Sequence, residues 1–187
     1  GNRIVVYAKD TLVTTITTGE DGMAVAENLR LGAYRVTEKT APEGFVLNPE
    51  DSEVVFVYED QDTPVVDQDV TVGDERQNVA ITVEKQDAEN GAVVAGAVFG
   101  IYNKEDITAD GKVIVEADTL LQEMTSDEKG QAGCTLDLPL GSYYVKELKA
   151  SAGFVSSNEV LEFDASYQGQ DIAVVKLKEV KKNQPTT

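Results

Sequence analysis

The 187-residue chain has no histidine, no tryptophan and a single cysteine, Cys134. An intramolecular disulfide is therefore impossible, and the usual His/Cys metal sites and histidine-based catalysis are excluded. No stretch approaches the roughly 18 apolar residues of a membrane-spanning helix, and no basic-then-apolar leader opens the chain. Basic residues are scarce, 16 Lys and Arg against 34 Asp and Glu, for a formal net charge of −18. Such a surface repels phosphate backbones and anionic lipid, so nucleic-acid binding and direct membrane contact are not expected. The acidic clusters Asp60-Gln-Asp62, Asp67-Gln-Asp69 and 106–110 lack the ordered oxygen spacing of a calcium loop and read as solvated loops. Cys134 has no basic activator nearby and reads as a small strand hydrophobe rather than a thioester nucleophile. No cofactor or metal is expected.

Apolar residues make up 41% of the chain and are interleaved with Thr, Gly and Asp, which is enough to bury a core. The chain also repeats itself. Leu31-Gly-Ala-Tyr-Arg-Val-Thr-Glu38 and the following Ala41-Pro-Glu-Gly-Phe45 are echoed by Leu140-Gly-Ser-Tyr-Tyr-Val-Lys-Glu147 and Ala150-Ser-Ala-Gly-Phe154, an offset of 109 residues. The same offset pairs Asp74 with Asn183, and after one gap Gly22 meets Gly130. The first copy starts at the equivalent of residue 109 and has no counterpart of residues 85–108. It is expected to begin inside a module and to leave a strand edge that neighbouring molecules cover. Two domains follow, residues 1–77 and 78–187.

Short β-rich runs, such as Val79–Lys85, Ala97–Tyr102, Tyr143–Leu148 and Ile172–Val180, alternate with Gly, Asp, Asn and Ser clusters, the pattern of a sandwich. Alternation puts Val79, Ile81, Val83 and Lys85 on one face, and Tyr143, Val145 and Glu147 on another. In the first copy Tyr34, Val36 and Glu38 align likewise, and Val66, Val70, Val72 and Asp74 share a face of an expected last strand. The parity class of Asn183 contains Val175 and Leu177 but also Glu179 and Lys181, which predicts a bulge or an early exit from the core. A lysine and a glutamate pointing inward in one small domain need a partner or a reaction, since an unpaired buried charge costs several kcal/mol. A buried ion pair is one reading and a covalent bond is the other.

These residues resemble the collagen-adhesin B-type (Cna-B) or SpaA-like pilin domain of Gram-positive surface proteins. The family's opening motif appears as Lys85-Gln-Asp87 and Gly96-Ala-Val-Phe99, its glutamate motif as Tyr143 to Phe154, and its closing Asn-x-Pro as Asn183-Gln-Pro185. Ser151 replaces the family's proline and Phe154 its final tyrosine, and neither change removes a reactive group. The resemblance implies an all-β fold: two tandem immunoglobulin-like, reverse-topology (prealbumin-like) sandwiches, the first lacking its N-terminal strands. It further implies that Lys85 and Asn183 form an autocatalytic isopeptide bond promoted by Glu147, which polarises the Asn183 carbonyl and shuttles protons. Such a bond turns over once, so the chain is not expected to be an enzyme. Glu38 and Asp74 are its vestiges in the first copy, where the lysine is missing.

The function so implied is a structural spacer in the stalk of an extracellular, cell-wall-attached adhesin or pilin. Its partners are neighbouring repeats of the same polypeptide, and a host protein or glycan reached through other domains. The alternative is an adhesin module that itself grips a host protein or glycan, which the fold does not separate from a spacer. A carbohydrate-binding accessory domain would need a ring-stacking platform, and there is no Trp to form one. Leu138-Pro-Leu-Gly141, although reminiscent of a sorting signal, lies inside the repeat and reads as a turn between strands.

Overall fold

The computed structural model describes residues 7–186, which form strands and turns but no helix. The chain divides into two compact units, one of residues up to Val36 with Asp51–Thr71, the other of Thr37–Glu50 with everything from Val72 onward. The first copy of the repeat contributes β1 (Gly32–Val36), β2 (Phe45–Val46), β3 (Ser52–Phe56) and β4 (Glu75–Arg76). The second contributes β5 (Asn78–Asp87), β6 (Val98–Asn103), β7 (Ile107–Ala109), β8 (Lys112–Val115), β9 (Leu120–Thr125), β10 (Gln131–Leu136), β11 (Gly141–Lys149), β12 (Val160–Ala165) and β13 (Val174–Asn183).

The second copy is a sandwich of a three-stranded sheet, β10-β5-β13, and a four-stranded sheet, β12-β11-β6-β9. Its centre is β5, whose burial alternates strictly along ten residues, as period-2 side-chain placement requires. Val79, Ile81 and Val83 from β5 meet Phe99, Ile101, Tyr143, Val145 and Phe163 from the facing sheet in one core. Cys134 lies on β10 opposite Ile81 and packs half-buried against that core, where burial pushes its thiol up from the ordinary range.

Two strand expectations are corrected. The β13 ladder runs parallel to β5 without interruption from the Val174–Asn78 pair to the Asn183–Asp87 pair, so there is no bulge. An inward Lys181 is compatible with that regularity because its long stem carries the ammonium to Glu159. In the first copy no strand forms over 65–74, and Val70 and Val72 are exposed. The corresponding strand of the second copy is held by β5, and among the described residues the first copy has no equivalent of β5 to pair with. For the same lack of a ladder, Val25 and Ala26, the counterparts of part of β10, are not in a strand.

Local contacts nevertheless recur at the offset of 109. Tyr34 and Tyr143 each donate their hydroxyl to the carbonyl four residues earlier, Arg30 and Pro139, at 2.7 Å. The Phe45 and Phe154 amides both donate to residues 42 and 151 at 3.1 Å, and Phe45 pairs with Arg76 as Phe154 does with Pro185. Tyr143→Phe removes a hydrogen bond at a buried position and leaves the Pro139 carbonyl short of its partner. It is expected to cost about 1–2 kcal/mol in urea titration, and Tyr34→Phe, at an exposed site, less.

Thr37–Glu50 belongs with the second unit for an identifiable reason. The Ala41 amide donates to the Gln170 side chain at 3.0 Å, and the Leu47 amide to the Gln170 carbonyl at 2.9 Å. Gln77, the single residue between β4 and β5, is buried with its amide satisfied, donating to Gly169 and Ile172 and accepting from the Gln168 amide.

Candidate functional site

Lys85, Glu147 and Asn183 come together inside the second unit. Lys85 is on the inward face of β5, Glu147 on the inward face of β11, where the ladder to β6 shifts register after it, and Asn183 ends β13. The side chains of Lys85 and Glu147 are both 0% exposed, and Nζ lies 3.9 Å from Glu147 Oε1. Asn183 Nδ2 donates to Glu147 Oε2 at 2.6 Å and to the Val155 carbonyl at 2.8 Å. The Ser157 amide also donates to Glu147 Oε2, at 3.0 Å. Lys85 Nζ stands over the Phe154 ring, 5.5 Å from its centroid.

The arrangement is not a satisfied polar network. Lys85 Nζ, Glu147 Oε1 and Asn183 Oδ1 are all buried and make no hydrogen bond among the described residues. Desolvating two charges to hold them 3.9 Å apart without a hydrogen bond gains little attraction against a large penalty. Burial pushes the Lys85 ammonium below the ordinary lysine range; Glu147 opposes this, Lys181 adds to it and Asp87 opposes it. A lysine losing its proton next to a primary amide is a nucleophile beside an electrophile. The expected contact of Glu147 with the Asn183 carbonyl is not formed: Oε2 faces the amide nitrogen, whose two N–H groups go to Glu147 and to the Val155 carbonyl, and Oδ1 is left without a partner among the described residues.

In the first copy Glu38 accepts the Asn48 amide at 2.7 Å, the counterpart of the Ser157 bond to Glu147. Asp74 is half-buried and its Oδ1 is buried without a hydrogen bond among the described residues. No lysine forms an ion pair with Glu38 or Asp74 among the described residues.

Two backbone groups fix the carboxyl and the amide, Ser157 N–H and Val155 C=O, and no side-chain pattern in the sequence reveals them. Lys181, which looks in the sequence like a break in periodicity, is buried on the inward face of β13. The parity that put Lys181 on the Asn183 face was the available signal.

The family model described as the SpaA prealbumin-like fold domain matches residues 1–71 and 79–181. Among solved structures, the TIE protein of Bacillus anthracis is similar at 26% identity and a TM-score of 0.64, over 91% of this chain and 28% of that one. The backbone protein of the group B streptococcus pilus 2b is 18% identical with a TM-score of 0.45, over 81% of this chain and 53% of that one. BcpA, the major pilin subunit of Bacillus cereus, is 24% identical with a TM-score of 0.41, over 58% of this chain and 29% of that one. The chain thus spans 28% of TIE, 53% of the streptococcal protein and 29% of BcpA. No curated protein matches it in sequence. With the matched residues taking in almost all of its length, the chain belongs to the SpaA prealbumin-like fold domain family, the Cna-B or SpaA-like pilin domains that its motifs resemble.

Proposed function

We propose that the chain is a structural stalk module of an extracellular, cell-wall-attached adhesin or pilin, and that its second domain, residues 78–187, is stapled by an amide bond between Lys85 and Asn183. The observation that carries the reading is the meeting of an amine, a carboxyl and a carboxamide in one buried site, each with an unpartnered polar atom. The lone pair of the uncharged Lys85 amine attacks Asn183 Cγ, the new C–N bond forms, and the Cγ–Nδ2 bond breaks. Glu147 takes the proton that the amine gives up and returns it to Nδ2, which it already touches, so that ammonia leaves. Holding the three groups on strands of one folded unit removes the entropic cost of their meeting.

The bond lies where a stalk needs it. The second copy enters at β5 and leaves at β13, and these two strands are parallel neighbours. Tension would pass from β5 through Lys85 and Asn183 to the chain beyond, leaving β6 to β12 unloaded. In a chain with one cysteine, this supplies the staple that a disulfide cannot. Neighbouring repeats are the proposed partners, with any host ligand reached through other domains.

The test is the intact mass of the denatured chain. Loss of one ammonia in the parent, absent from Lys85→Ala and Glu147→Ala, with a Lys85–Asn183 branched peptide on digestion, is the expected result. The full calculated mass in the parent would sink the cross-link. Because the reactive form is the uncharged amine, the rate is expected to rise with pH. Burial lowers Lys85, so the rise comes below the ordinary lysine range rather than near about pH 10.4.

A further inference from the structure

Lys181 is a second lysine on the inward face, and the reaction described above makes no use of it. In the parallel β5–β13 ladder it is the register partner of Lys85, and such partners project to the same side of a sheet. It is 2% exposed, yet its ammonium is satisfied, donating to the Glu159 carboxylate at 2.8 Å and the Glu159 carbonyl at 3.2 Å. The same contact holds the Glu159 carboxyl below its usual range. Lys85, one strand away, has no hydrogen-bond partner among the described residues. Two ammonium groups on adjacent strands of one buried face repel, and of the two only Lys181 has acceptors for its N–H groups among the described residues.

The charged groups acting on Lys85 are Glu147 from β11, Asp87 from its own strand and Lys181 from β13. Both carboxylates favour the ammonium form. Lys181 is the one charge in this set that opposes it. An ammonium has no lone pair to give, so whatever withholds the proton governs attack.

On the reading that Lys85 and Asn183 cross-link, we propose that Lys181 is a positioning residue of that reaction: its ammonium, anchored at the rim by Glu159, keeps the neighbouring Lys85 amine uncharged and nucleophilic. Glu159, with a side chain 74% exposed, serves as the outer anchor.

The experiment follows the full chain, freshly made by cell-free synthesis and transferred to buffers from acid to alkaline, by loss of one ammonia over time. Lys181→Met, which keeps the apolar stem, and Lys181→Gln, which keeps a hydrogen-bond donor, are expected to move the rate profile toward alkaline pH by about one unit. At neutral pH they slow the reaction about tenfold. Lys181→Arg is expected to keep the parent's profile. Should the Met variant not fold, the Gln variant reads the same quantity. Neutral variants that react more slowly at every pH with an unmoved midpoint would show lost packing only and overturn the proposal, as would an Arg variant that behaves like Met. A parent that never loses ammonia overturns the cross-link and this role together, which is distinguishable from a reacting parent with unshifted variants.

Discussion

Replacing Lys85 by Met and Glu147 by Leu together is expected to lower the thermal midpoint of the second unit by about 15–25 °C. The proposed bond closes a 98-residue loop from residue 85 to residue 183, and in the chain-entropy view such a closure contributes about 4–5 kcal/mol by restricting the unfolded chain. For a unit of this size each kcal/mol corresponds to about 4 °C. The double replacement is more informative than either single one. Removing one partner of a buried ion pair is costly whether or not a covalent bond exists, whereas replacing both by apolar residues of similar volume is neutral or stabilising by about 1–4 kcal/mol when only an ion pair is lost. Calorimetry of the double variant therefore separates the readings: an unchanged or higher midpoint speaks for the ion pair, a large fall for the staple.

The second large effect is expected at Gly130. Its φ is +72°, in the left-handed region, and a Cβ there would lie 2.8 Å from the Lys85 carbonyl oxygen, 2.8 Å from Val93 Cβ and 3.2 Å from the Val94 nitrogen. These are backbone atoms and a side-chain root, so none can swing aside. The close approach has a purpose, because the Gly130 carbonyl accepts the Lys85 amide at 2.7 Å and so fixes the strand segment that carries the nucleophile. Gly130→Ala combines left-handed strain with overpacking and is expected to cost about 3–5 kcal/mol. Its repeat counterpart is the control. Gly22 has a φ of +74° but nothing within 4 Å of its Cβ position, so Gly22→Ala is expected to cost only about 1–2 kcal/mol. Urea titration of both variants checks this. Equal losses would mean that backbone conformation alone, not the approach to Lys85, sets the cost.

Much of the site could be read in the sequence because strand periodicity is strict where a strand is buried on one side. The alternation in Val79–Lys85 placed Lys85 inward, and β5 buries Val79, Ile81, Val83 and Lys85 in turn. The parity of Tyr143, Val145 and Glu147 was read the same way, and all three are buried. Gly22 and Gly130, matched through the repeat, share the left-handed backbone that makes glycine the residue of choice. Parity misled where a strand needs a partner to exist at all: 65–74 has an alternating pattern but no described neighbour to pair with, and Val70 and Val72 remain exposed. At Lys181 parity gave the inward direction correctly and only the bulge inferred from it was wrong, since alternation records which way a side chain leaves the backbone and not where a long, flexible stem ends.

What the sequence by itself determined is therefore local: the β periodicity, the turn glycines, the inward lysine and glutamate, and a repeat whose tyrosine and glutamate contacts recur at the same offset. What only the tertiary structure decided is which groups meet. The parallel pairing of β5 with β13 sets Lys85 beside Lys181 and brings Asn183 to the lysine's end of the strand, although nearly a hundred residues separate them in the chain. Packing of the second sheet then adds Glu147, and the backbone of Val155 and Ser157 fixes which atoms of the amide and the carboxyl face each other. Periodicity cannot carry that information, because it fixes the direction of each side chain relative to its own strand, while the distances between strands come from the ladder and the core that join them.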